Sequence, residues 1–159
     1  MTNNGNSTNH VVAIEFDMIE SHEFNDINDS HVGVDINSLE SATSTSASYC
    51  ATNGGFMNLT LISGHPMQVW VEYDGVKKQI NVTLAPINVD KPKIPLLSLS
   101  GDLSPIINKA MYVGFSSTTG SILTSHYVLG WSFKMNGKAQ EVALLNFPSC
   151  LEVKAELNI

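Results

Sequence analysis

The chain has 159 residues, 43% of them hydrophobic and 14% charged, enough for one domain with a real core and too short for two. Eight basic against fifteen acidic side chains give a formal charge of −7, which disfavours a phosphate-tracking surface and argues against nucleic acid as a partner. No apolar run reaches membrane-spanning length, and residues 1–10 are polar and Asn-rich, without the charged and apolar regions of a signal peptide.

Taken in chain order, the elements read as strands. Residues 11–16 form a β-branched and aromatic run, and residues 31–36 alternate Val32, Val34 and Ile36 against Gly33 and Asp35. Residues 41–48, SATSTSAS, are low in complexity and read as a long surface loop inside one domain. Residues 59–62 read as a short strand. Met67, Val69, Val71 and Tyr73 then alternate with Gln68, Trp70 and Glu72 as far as Asp74-Gly75. Residues 77–84 follow, with Ile80, Val82 and Leu84 on one face, so the pair reads as a hairpin turning at Asp-Gly. Residues 96–99, 111–115 and 127–133 bring the count to about eight strands. Residues 104–110 offer the single helical turn, with Pro105 in its first position. Residues 136–159 lose the strand rhythm and read as an extension. Short strands with no strand–helix alternation predict an all-β antiparallel sandwich or jelly roll. Trp70 and Trp131 both fall in strand patterns, where packing in the core is the expectation.

Cys50 and Cys150 are too few for a disulfide scaffold, and two buried thiols are the favoured reading. Four glycosylation sequons, at Asn6, Asn28, Asn58 and Asn81, point towards a secreted glycoprotein.

The densest polar constellation comprises Glu15, Asp17, Asp26 and His31. Glu15 and Asp17 are two apart on a strand and so share a face, where two carboxylates repel and are costly to bury without a counter-charge. A divalent cation would supply that charge. Oxygen ligands suit Ca²⁺, and an added imidazole suits a transition ion such as Mn²⁺ or Zn²⁺. Asp26 and His31 could reach back from the loop of residues 18–30. A solvent-facing acidic edge beside a surface histidine fits the spacing too. The same strand also has the form E-x-D-x-x-E, with Glu15 and Glu20 at its ends. It thereby resembles the catalytic strand of laminarinase- and lichenase-type glycoside hydrolases, which divide nucleophile and acid/base roles between carboxylates.

The blocks VVAIEFD, DINDSHVGVDINSLES, NLTLISGHPMQVWVEYDG, INVTLAP, MYVGFSSTTG and HYVLGWSF occur in that order. Together they resemble the legume-type (L-type) lectin domain, most closely that of plant lectin-domain receptor kinases. The resemblance covers about residues 3–137, a partial lectin domain, and leaves 138–159 as a C-terminal extension departing from the family. It implies a concanavalin A-like two-sheet jelly roll lacking its N-terminal strands, a non-enzymatic carbohydrate-binding module, and adjacent Mn²⁺ and Ca²⁺ ions that shape a sugar site. Carried over by position, Glu15, Asp17, Asp26 and His31 match the transition-ion ligands. Asp17 and Asp26 match the carboxylates bridging to calcium, the Ile19 carbonyl matches a backbone calcium ligand, and Ser41 matches a serine bonded to a metal-bound water. Ser21 stands where the family commonly has an Asn that ligates calcium and bonds the sugar. Gly120, Ser121, Ile122 and Leu123 match the loop that tunes sugar specificity. Since serine lacks the amide, calcium and sugar binding are both expected to be weakened. The resemblance places such a domain on the extracellular side of the plasma membrane or in secretion, while the chain as it stands, without leader or span, would be cytoplasmic. Missing N-terminal strands would leave a sheet edge open, inviting dimerisation through it.

Overall fold

Period-two alternation builds most of the molecule. The computed structural model describes residues 6–118, 124–142 and 151–158. Among them are ten strands: β1 (Val12–Asp17), β2 (His31–Ile36), β3 (Thr43–Ser46), β4 (Ser48–Cys50), β5 (Phe56–Asn58), β6 (Met67–Asp74), β7 (Gln79–Pro86), β8 (Leu97–Ser100), β9 (Val128–Met135) and β10 (Leu151–Asn158). They form a three-stranded sheet, β1-β2-β3, a five-stranded sheet, β8-β7-β6-β10-β9, and the β4-β5 ribbon. The pairs β1–β2, β2–β3, β6–β7 and β7–β8 are antiparallel, whereas β10 runs parallel to both β6 and β9. The all-β sandwich expected from the sequence is what forms.

The core lies between the two larger sheets. Val32 and Val34 of β2 meet Met67, Val69 and Tyr73 of β6 and Ile80, Val82 and Leu84 of β7, with Val12, Ile14 and Phe16 of β1 packed against them. Each of these sets is one face of its strand, so alternation alone decides what is buried. Tyr73 keeps its hydroxyl satisfied by accepting from the Leu103 N–H at 3.1 Å. Leu84 is fully enclosed. Its truncation to Ala should therefore cost about 2–5 kcal/mol in chemical denaturation, and a loss below about 1 kcal/mol would mean that the sheets are not packed there.

Several sequence expectations give way. Residues 41–48 are not a loop: Thr43, Ser44 and Thr45 pair with Val34, Gly33 and Val32, and the tract continues into β4. Threonine fits a pleated, half-buried surface, and a neighbouring strand offers its hydrogen bonds. Residues 111–115 carry no strand pairing, and Tyr112 and Phe115 are exposed. A period-two pattern becomes a strand only where a partner edge is available. Residues 59–62 contribute a 3-10 turn (Leu61–Ser63) instead of a strand. Trp131 is 46% exposed on β9, stacked edge-on against Phe115, whereas Trp70 is buried as expected. The 136–159 segment, read as without strand rhythm, supplies β10, whose sequence LEVKAELN does alternate.

The β6–β7 hairpin forms, yet its chain reversal does not rest on Asp-Gly as a two-residue turn. Asp74 Oδ1 accepts from the Val76 and Lys77 N–H groups, both at 3.0 Å, and the left-handed residue is Lys78. Cys50 carries a free thiol, and Cys150 lies outside the described residues.

Candidate metal centre

The antiparallel register of β1 and β2 sets Asp17 opposite His31, Glu15 opposite Gly33 and Ala13 opposite Asp35. The intervening residues of both strands face the core, so this polar row faces away from it. It is nevertheless enclosed: His31 is 1% exposed and Asp35 is 5% exposed. Two returning segments cover it, residues 18–30 and 37–41.

Both are folded by side-chain-to-backbone bonds. Asp17 Oδ1 accepts from the Ile19 N–H at 2.8 Å, and Asp26 Oδ2 accepts from the Ser21 N–H at 2.6 Å. A 3-10 turn (His22–Phe24) lies between, ended by Asn25 in the left-handed conformation that asparagine tolerates. Asn28 then closes the loop, its Oδ1 accepting from the Ser30 N–H and its Nδ2 donating to Ser46 Oγ at 2.7 Å. These bonds tie Asp26 back over β2.

Three side chains converge as a result: a carboxylate oxygen from each of Asp17 and Asp26 and a ring nitrogen of His31 lie within 4.8 Å of one another. Glu15 joins them, its Oε2 3.9 Å from His31 Nε2, the same distance as Asp26 Oδ1. His31 Nδ1 lies 2.8 Å from the Asn28 carbonyl oxygen. A carbonyl only accepts, so Nδ1 carries a proton, which leaves Nε2 as the ring nitrogen that faces the carboxylates. This outer hydrogen bond is the one that characteristically orients a metal-binding histidine.

The electrostatics ask for a cation. Burial raises the Glu15 carboxyl to about 7, with Asp35 and Asp17 adding to the shift and the Ser41 bond and His31 opposing it. Asp26 is raised chiefly by burial, against the Ser21 backbone bond, and further by Asp17. Asp35 is raised by burial as well, with Ser41 and His31 pulling the other way. All eight basic residues of the chain are lysines. Among the described residues the lysine ion pairs are Lys77–Asp74, Lys78–Asp102, Lys91–Glu72 and Lys138–Glu141, none of which reaches this cluster. Carboxylate oxygens with one imidazole nitrogen suit a divalent cation, and the residues present fit one.

The other sequence candidates fall differently. Ser21 sits at the start of the 3-10 turn with its carbonyl accepting from the Phe24 N–H, and its side chain makes no capping bond. Ile19 is held beside Asp17 through its own N–H. Gly120, Ser121, Ile122 and Leu123 lie outside the described residues. Glu20 lies beyond the end of β1 and pairs with exposed His22 at 3.2 Å. The E-x-D-x-x-E pattern is therefore not a single strand face, and the hydrolase pairing of Glu15 with Glu20 is lost. Two residues of the centre escape a search for ligands: Asp35 and Gly33. The period-two spacing of His31, Gly33 and Asp35 would have found both.

The all-β sandwich carries this centre on the outer face of one sheet, and the chain belongs to the legume lectin domain family, whose model matches residues 1–148. Among its relatives, L-type lectin-domain containing receptor kinase IV.1 of Arabidopsis thaliana is 58% identical over 148 residues, 93% of this chain and 22% of the relative. L-type lectin-domain containing receptor kinase V.9 of the same plant is 50% identical over 149 residues, again 93% and 22%. L-type lectin-domain containing receptor kinase SIT2 of Oryza sativa subsp. japonica is 51% identical over 148 residues, 92% and 22%. The chain thus spans 22% of the length of these curated relatives. It is a non-enzymatic, lectin-type module, and among its described residues no helix is long and apolar enough to cross a membrane.

Proposed function

We propose that the chain is a carbohydrate-binding module whose sugar site depends on a divalent metal pair. One observation carries the reading: the partly buried convergence of Asp17, Asp26 and His31, with Glu15 beside them and, among the described residues, no lysine ion-paired with them. In this reading Glu15, Asp17, Asp26 and His31 would hold Mn²⁺. Asp17 and Asp26, with the Ile19 carbonyl and Ser21, would hold Ca²⁺. Bound ions would supply the fixed positive charge that the carboxylates lack, and Asp17 and Asp26 would then hold residues 18–30 in one conformation for a glycan. By the family resemblance, Ser21 and residues 120–123 would contact the glycan, in a domain on the extracellular side.

Ser21 limits the affinity. A hydrogen bond left unmade in a desolvated site costs about 1–3 kcal/mol, roughly fivefold to 150-fold in Kd. Isothermal titration with monosaccharides and both ions should thus give weak binding that EDTA abolishes. Ser21→Asn should tighten it about tenfold, by returning the amide that the family pattern carries at this position. Sugar binding unaffected by chelation would overturn the metal-dependent reading, and no gain from Ser21→Asn would remove residue 21 from the site.

A further inference from the structure

Gly33 stands at the middle of β2, yet its backbone is not in a conformation reserved for glycine. What it lacks is a side chain, and the space is used. A Cβ built at Gly33 would lie 2.0 Å from Ser41 Oγ, 3.1 Å from Ser41 Cβ and 3.2 Å from Glu15 Oε2. Ser41 thus lowers its hydroxyl into the gap that Gly33 leaves in the polar row, between the side chains of Glu15 and Asp35. There the hydroxyl is 2.6 Å from Asp35 Oδ1 and 3.2 Å from Glu15 Oε2.

We propose that Gly33 is a positioning residue of the centre, its missing side chain being the socket for the Ser41 hydroxyl that holds Glu15 beside His31. This rests on the metal reading above for its consequence, and on the packing alone for its mechanism. Ser41 Oγ is the end of a short side chain that can rotate away, so Gly33→Ala need not unfold the sheet. It must, however, expel the hydroxyl from between the two carboxylates. Gly33→Ala and Ser41→Ala therefore remove the same interaction by different routes. Their effects should overlap instead of adding, the signature of coupled sites in a double-mutant cycle.

The experiment is that cycle, read twice: as the melting temperature of the chelator-treated chain, and as Mn²⁺ affinity by calorimetric titration. Each single variant should weaken Mn²⁺ binding about tenfold to a hundredfold, the usual cost of removing an outer partner of a ligand. The double variant should bind no more weakly than the worse single one, and the melting temperatures should show the same overlap. If Gly33→Ala does not fold, adding Ser41→Gly, which removes both Ser41 contacts of the new Cβ and leaves only the end of the flexible Glu15 side chain near it, should restore the fold. Additive losses, an unchanged Gly33→Ala, or a failed rescue would each overturn the proposal. A wild-type chain that takes up no Mn²⁺ would instead count against the metal reading, and the metal-free melting cycle would still decide the role of Gly33.

Discussion

Mn²⁺ and Ca²⁺, each supplied at about a hundred times its Kd, should stabilise the metal-free chain by about 2.7 kcal/mol per ion. For a domain of this size, each such increment is a rise of about 5–10 °C in melting temperature. Asp17→Asn should remove nearly all of it. The amide keeps the shape of the side chain and can still accept from the Ile19 N–H, but it withdraws a charged ligand from both proposed sites at once. Glu15→Gln should be milder, since Glu15 belongs to the Mn²⁺ site alone. Asp102→Asn serves as the control, because Asp102 pairs with Lys78 and accepts from the Ser104 N–H, neither of which belongs to the metal centre. Scanning calorimetry with each ion separately resolves the two contributions. An Asp17→Asn chain still stabilised by both ions would remove Asp17 from its bridging role.

The second large effect is a reversal of pH dependence. Glu15, Asp26 and Asp35 are all raised above their ordinary values, Glu15 to about 7. Between the ordinary and the raised value, the folded chain binds more protons than the unfolded one, so stability falls as pH rises. The groups facing Glu15 are Asp17, Asp35, His31 and Ser41, and in the metal-free protein none supplies a permanent positive charge. The chelated protein should accordingly melt at a higher temperature near about pH 5 than near about pH 7.5. With Mn²⁺ and Ca²⁺ present the slope should reverse, because the ions compete with protons for the same oxygens and bind the deprotonated form. Melting curves across that range, with EDTA or with both ions, test this directly. Parallel curves would show that the ions, if they bind, do so elsewhere.

Much of this centre is legible in the sequence because strand geometry is rigid. Glu15 and Asp17 share a face by period alone, and the apolar alternation of residues 31–36 fixes which way His31 points. Asp26 is legible only as a short-loop residue, since the bond to the Ser21 N–H that aims it depends on the 3-10 turn between them. Gly33 is harder to see: it has no chemistry, and its contribution is the space it leaves. An isolated glycine inside a strand does signal a close approach, but not of what. In the fold, β2 and β6 follow directly from alternation. Residues 111–115, MYVGF, are as rich in apolar and aromatic side chains and remain unpaired, because strand formation is settled by a neighbour that no local pattern contains. The Ser/Thr tract fails in the opposite sense: its composition suggests a loop, and the adjacent edge of β2 makes it β3.

Every group in the centre, from Glu15 to Ser41, comes from one short continuous stretch of chain. Closing such short loops costs little entropy, whereas β10 must return from residue 152 to pair with residue 68. Contacts that are near in sequence form early, and distant pairings form late. The contacts that build the centre are therefore all local in sequence, and none of them uses a residue of the C-terminal strand. During synthesis, the polypeptide that carries every group of the centre is complete before that of β6, the strand whose apolar face covers β1 and β2.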